Sequence, residues 1–156
     1  MRNYFSLAML CAILLSSCGE AAFFDKSEAI EGESWNWNNP VEFNVDVKDT
    51  VNAFDFYLKL RTTKGYEYSN IFVFVTTTFP DGKMKKDTVE CPLADESGAW
   101  YGKSSGSLID NKILFSHKRI FPQQGNYKFI IEQAMREKEL SEIADVGLLI
   151  EKSKSN

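Results

Sequence analysis

The sequence predicts an all-β domain: an antiparallel β-sandwich of about seven to eight strands, of jelly-roll or immunoglobulin-like kind. Three observations predict it. Apolar residues alternate with polar ones through much of the chain. Turn-forming residues punctuate these stretches at intervals of roughly 10–20 residues. Segments with the 3.6-residue period of an amphipathic helix are almost missing. A small closed barrel is the other architecture this pattern leaves open.

The strands follow in order. Val41, Phe43, Val45 and Val47 alternate with Glu42, Asn44, Asp46 and Lys48, as in a strand with one wet face. Phe54, Phe56, Leu58 and Leu60 alternate with Asp55, Tyr57, Lys59 and Arg61 in the same way. Residues 71–79 are β-branched or aromatic on both faces and read as a central strand. Pro80-Asp81-Gly82 then makes a turn, because Pro presets φ and Gly accepts a positive one. A returning strand over 84–91 completes a hairpin. Residues 108–115, 126–135 and 146–151 supply three more strands. Residues 136–143 are either a short helix or a charged loop. The sandwich is expected over 33–152, with a tail at 153–156.

The chain has 156 residues, with 18 Lys and Arg against 22 Asp and Glu. A hydrophobic content of 44% provides a core and rules out wholesale disorder. The acidic balance and a pI near 5.1 argue against a nucleic-acid partner, which needs a basic footprint. The net charge likewise gives no electrostatic reason to bind anionic lipid. Three cysteines, two of them N-terminal, cannot form a disulfide framework.

The first residues carry the clearest signal. Arg2 is followed by the unbroken apolar run 7–15, too short for a permanent span of a hydrocarbon core about 30 Å thick. It fits the apolar region of an export signal over 1–17. Leu15-Ser16-Ser17-Cys18-Gly19 resembles the lipobox of bacterial lipoproteins, in which the thiol of Cys18 receives the diacylglycerol and becomes the new N-terminus. Two or more acyl chains hold a protein firmly to a bilayer. About 140 residues then remain, enough for one domain that buries roughly two thirds of its unfolded surface. Residues 18–32 are expected to serve as anchor and tether. By resemblance to lipoprotein sorting, Gly19 favours the outer membrane. The lone Glu20, in place of an acidic cluster, favours a domain facing the periplasm.

Little in the chain points to catalysis. His117 is the single histidine, with no cysteine pair nearby to complete a metal site. Cys91, at a strand end before Pro92, is expected to be a small, partly buried thiol. Ser104-Ser105-Gly106-Ser107 lacks the spacing of a nucleophile elbow, and no Gly-rich phosphate loop is present. No cofactor, metal, nucleic acid or small-molecule substrate is expected, and the chain reads as a non-enzyme. Trp35, Trp37, Trp100 and Tyr101 leave open an aromatic platform for a glycan, with core or edge packing as the other account. Arg61 and Arg136 sit at strand ends, where guanidinium groups pair with carboxylates or present themselves to a partner.

A series of short pieces resembles the gliding-motility lipoprotein GldH family of the Bacteroidetes. They are Leu60-Arg61, Tyr66 to Ile71, Asp87, Gly98-Ala99-Trp100-Tyr101-Gly102, Phe121-Pro122 and Gly125-Asn126-Tyr127. Gln133-Ala134-Met135-Arg136, Leu140 and residues 143–148 complete the series. The resemblance implies a non-catalytic envelope component needed for gliding motility and type IX secretion. It would act beside other envelope lipoproteins. Arg61, Tyr66, Asn70, Trp100 and Arg136 are the positions expected to touch a partner or to order the contact loops.

The anchor and the sandwich are physically separate. Cys18→Ser is therefore expected to leave the domain folded but to move it from the membrane to the soluble fraction; a variant that still sediments with membranes contradicts the lipid anchor.

Overall fold

Alternation becomes sheet almost wherever the sequence shows it. The computed structural model describes residues 22–154. Eight principal strands are found among them: β1 (Phe24–Ala29), β3 (Val41–Val47), β4 (Ala53–Thr63), β5 (Asn70–Thr78), β6 (Met84–Pro92), β8 (Leu108–Ile120), β9 (Gly125–Gln133) and β11 (Ile143–Lys152). Three short ones join them: β2 (Ser34–Asn36), β7 (Lys103–Ser105) and β10 (Glu139–Ser141). One sheet has the order β1-β11-β4-β8-β7 and the other β3-β9-β5-β6, while β10 and β2 form a separate pair. All pairings are antiparallel. The first principal strand lies beside the last, and principal strands from the two halves of the chain alternate in each sheet. That is a jelly-roll sandwich, with two open sheets in place of a closed barrel.

Between the sheets lie the apolar faces read from the sequence. Val41, Phe43, Val45 and Val47 of β3 point inward, as do Phe54, Phe56, Leu58 and Leu60 of β4. Ile71, Val73 and Val75 of β5 and Tyr127, Phe129 and Ile131 of β9 meet them. Each such side chain contributes about 1.5–3 kcal/mol on burial. Rings close one end: Phe23 packs on Phe54 at 4.7 Å between centroids, Phe54 on Phe121 at 5.3 Å and Phe121 on Tyr127 at 4.9 Å. Phe121 thereby joins the two sheets. At the opposite end Trp35 is fully buried beside Leu140, its indole N–H donating to Asn39 O at 2.9 Å.

The two ends of the sandwich differ in what they carry. The described chain enters at residue 22, at the end that also holds connections 48–52, 79–83 and 121–124 and the C-terminal residues 153 and 154. We call this the near end. Connections 30–40, 64–69, 93–107 and 134–142 gather at the far end. The 11 residues of β4 separate the two by about 35 Å.

Three expectations change. The tether read over 18–32 contains β1, so among the described residues the chain joins the sheet by Phe24. Only Phe24 in this edge strand is even half-buried, so it lacks the alternation that reveals its neighbours. Its backbone ladder with β11, from Phe24 opposite Ile150 to Ala29 opposite Asp145, holds it in place. Second, residues 136–143 are neither helix nor loop throughout: Glu139–Ser141 is β10, drawn into a strand by Ser34–Asn36. Third, β8 continues past 115 to Ile120 through two register shifts against β4. Lys118 has φ +49° there, a bulge that no alternation predicts.

Close approach of β1 to β11 depends on Gly147. A methyl group at this position would lie 2.3 Å from Ser27 Oγ and 2.7 Å from the Lys26 carbonyl oxygen. Gly147→Ala is expected to destabilise the domain by about 1–3 kcal/mol, the usual cost of overpacking, by prising β1 away. Urea unfolding measures it, and an unchanged midpoint would show that β1 is not so closely held.

Candidate functional site

Strands β4, β6 and β9 all end at the far end, and this brings together segments distant in the chain. Leu93 N–H and Ala94 N–H donate to Ser69 O at 2.8 and 3.0 Å, which joins connection 64–69 to connection 93–102. Tyr68 donates its hydroxyl to the Glu137 carboxylate, joining both to connection 134–138. Tyr66 and Tyr68 meet edge to face at 5.7 Å. Gln133, buried, holds the last of these connections: its amide donates to Glu137 O at 2.7 Å and its oxygen accepts Met135 N–H at 2.9 Å.

The five singled-out residues divide by role. Tyr66 is buried and donates to Asn70 O at 3.1 Å; burial, with the Tyr68 and Glu137 charges adding, pushes its phenol well above the usual range. Asn70 donates to Glu90 at 2.9 Å across the β5–β6 pair. Trp100 is half-buried against the core and bridges to Ala94. These three order the connections. Arg136 stands exposed at the tip of 134–138 and has no ion-pair partner among the described residues. Arg61 is elsewhere, on the outer face of the larger sheet. It spans Asp110 of β8 at 2.7 Å and Asp145 of β11 at 3.2 Å, and so staples β4 to both neighbours. The hydrogen bond to Asp110 raises its pKa further.

Two features of this end were not read from the sequence. Asp95 Oδ1 accepts Ser97 Oγ at 2.7 Å and the N–H groups of Ser97 and Ala99 at 2.8 and 2.9 Å, which shapes a tight turn and lowers its own pKa. Asp-Glu-Ser-Gly is the signal for that turn. Gly102 lies against Asn111, where any Cβ would sit 2.3 Å from Asn111 Oδ1, so the connection docks flat on the sheet. The aromatic platform keeps two of its four members: Trp37 is 44% and Tyr101 65% exposed, whereas Trp35 is buried and Trp100 half-buried.

Comparison with known proteins identifies the chain. The family model described as GldH lipoprotein matches residues 22–150. A gliding motility lipoprotein GldH homolog of Christiangramia forsetii is 34% identical over 98% of this chain and 99% of its own. The gliding motility lipoprotein GldH of Flavobacterium johnsoniae is 31% identical over 93% of this chain and 94% of its own. The chain belongs to the GldH lipoprotein family. Among solved structures, a cellulose-specific carbohydrate-binding module matches with a TM-score of 0.44 at 8% identity, covering 83% of this chain and 73% of its own. A 4-O-methyl-α-glucuronidase matches with the same TM-score at 9% identity, covering 87% and 18%. Neither likeness is close enough to bear on ligand.

Family membership makes this a gliding-motility lipoprotein, lipid-anchored in the cell envelope. No helix among the described residues is long and apolar enough to cross a membrane. In this GldH chain the reactive side chains lie far apart. Cys91 is fully buried at the far end of β6, and burial, then the Glu90 charge, pushes its thiol up to about 12. His117 is near the other end, on the β8 bulge, with Nδ1 2.8 Å from Asp55 Oδ1. The Ser153 hydroxyl donates to that same carboxylate at 2.6 Å and not to the imidazole, so no relay to a nucleophile forms. A groove of about 440 Å³ between β6 and β8 is lined by apolar Phe56, Val89 and Phe115 and by polar Asp87, Ser116 and Arg119 among others.

Asp55 has a structural task. Burial alone would raise its pKa, but the Lys118 N–H, the Ser153 hydroxyl and His117 together hold it below the usual carboxylate range. A depressed carboxylate stabilises the fold above its unfolded pKa and loses that effect as pH falls toward the folded one. Urea midpoints are therefore expected to drop as pH falls below about 4, less steeply in Asp55→Asn than in the unmodified protein. Equal slopes would assign the acid sensitivity to other groups.

Proposed function

We propose that this GldH lipoprotein is a non-catalytic docking component of the gliding-motility and type IX secretion apparatus. Lipid on Cys18 holds it to the outer membrane, with the sandwich in the periplasm. The far end presents the contact surface to other envelope lipoproteins. What carries this reading is the convergence of three separate connections, 64–69, 93–102 and 134–138, into one hydrogen-bonded platform about 35 Å from the end at which the described chain begins. Such a platform is stiff before a partner arrives, which lowers the entropic cost of binding.

Charge suggests the kind of surface it meets. Across the far-end connections, Glu31, Glu33, Glu67, Asp95, Glu96, Glu137, Glu139 and Glu142 stand against Lys64, Lys103, Arg136 and Lys138. An acidic surface edged by exposed Trp37, Tyr101 and Arg136 suits a protein partner with a basic face. Asn70, Tyr66 and Trp100 keep the platform in shape from beneath.

A photo-crosslinking amino acid placed at Tyr101 or Arg136 in intact cells is expected to capture a reproducible set of envelope proteins, and one at Asn44, on the outer face of β3, is not. Glu67→Lys combined with Glu96→Lys, both exposed, is expected to weaken capture and slow gliding while leaving the amount of protein unchanged. Equal capture from Asn44, or none from the far end, would contradict docking there.

A further inference from the structure

The near end has the opposite charge from the far end. Residues 48–52, 79–83, 118–124 and 152–154 contain Lys48, Lys83, Lys118, Arg119, Lys152 and Lys154 against Asp49 and Asp81, with Asp46, Asp55 and Glu151 on the adjoining strand ends. All of these acids are engaged locally: Asp46 lies 3.7 Å from Lys48, and Asp55 is held by His117, the Lys118 N–H and Ser153. Asp49 accepts the N–H groups of Val51 and Asn52 and the Asn52 amide within its own turn. Asp81 pairs with Lys83 at 2.9 Å. Glu151, next along β11, is turned to the outer face of the sheet and pairs with Lys112 at 2.8 Å. Lys118, Arg119, Lys152 and Lys154 remain exposed, without an ion-pair partner among the described residues. Val51, 82% exposed, and Ile120, 56% exposed, stand among them.

We infer that the near end is a foot that rests on anionic phospholipid headgroups of the leaflet holding the anchor, with Lys118, Arg119, Lys152 and Lys154 over the phosphates and Val51 and Ile120 dipping into the interface. The inference rests on lipid anchoring at Cys18. It has a second support independent of charge: the described chain starts at this end, and four residues span at most about 14 Å between Cys18 and Ala22. Within that reach the foot can settle onto the headgroups, where exposed charges are felt over a Debye length of about 8 Å. Basic side chains beside exposed apolar ones are the usual makeup of a surface that lies on a membrane. The acidic far end is repelled by the same surface, so both ends favour one upright orientation. Lipid chains supply attachment; the foot supplies direction, and it leaves the docking platform facing away from the bilayer.

The test uses the full lipidated protein in vesicles, with a fluorophore on Val51→Cys at the foot or on Ser97→Cys at the far-end turn. Cys91 is buried and stays unlabelled. In vesicles containing phosphatidylglycerol, a headgroup-attached quencher is expected to act at least about threefold more on the foot label than on the far-end label. The ratio should fall, toward the smaller value that the tether alone imposes, in phosphatidylcholine vesicles, in high salt, and in a variant with Lys118, Arg119, Lys152 and Lys154 all changed to Gln. Salt acts on the unmutated fold, so a poorly folded variant does not obscure the result. Equal quenching of both labels in anionic vesicles overturns the inference, as does a difference indifferent to salt and lipid charge. Vesicle flotation is read separately: protein that does not float overturns the anchor beneath the inference, and protein that floats with equal quenching overturns the foot alone.

Discussion

The backbone ladder between β1 and β11 decides how the lipid anchor meets the sandwich. Six residues that bury almost nothing are held as a strand by their hydrogen bonds to the last strand of the chain. Had this segment stayed free, the domain would swing on a tether and neither end would have a fixed relation to the bilayer. With β1 in place, the chain enters the sheet by Phe24, and Phe23 is packed onto Phe54 and Phe121. Those rings tie both sheets together at that end, so pull on the anchor is passed to the whole core.

From this constraint the division of labour follows. A jelly roll sends its connections to two opposite ends, and the ladder brings the described chain in at one of them, the end proposed to meet the membrane. At the other, the end proposed for contact, polar side chains hold three connections together. The charge distribution agrees with that assignment, basic near the anchor and acidic away from it. Exposed ion pairs on the outer sheet face, such as Arg61 with Asp110 and Asp145, add only modestly to stability in water. Their value is in fixing β4 between its neighbours.

Much of this was legible in the chain before any coordinates. Seven of the eight principal strands could be read in advance: β3 and β4 show a period of two because one face of each is packed on the core, and the others show strand-forming stretches between turn residues. β1 does not, since an edge strand held mainly by its backbone ladder, with Phe24 alone turned toward the core, leaves little mark in side-chain chemistry. The same holds for β10, where Leu140 is the one buried residue and a partner strand supplies the rest. Arg61, Tyr66, Asn70, Trp100 and Arg136 could be picked out one by one, but their spatial grouping follows from topology. Tyr66 and Arg136 look equally available in sequence, and only packing makes the first a strut and the second a surface. Net charge was the least informative number. A balance of −4 hides a basic end and an acidic one, since summing over the chain discards where the charges are.

Amide hydrogen exchange over Phe24–Ala29 in the lipidated, membrane-bound protein tests the founding constraint most directly. Protection approaching that of β11 is the expected result, because each strand supplies the other's hydrogen-bond partners. Exchange at the rate of an unstructured linker, with β11 still protected, would mean that the anchor hangs free and that the sandwich has no membrane-facing end.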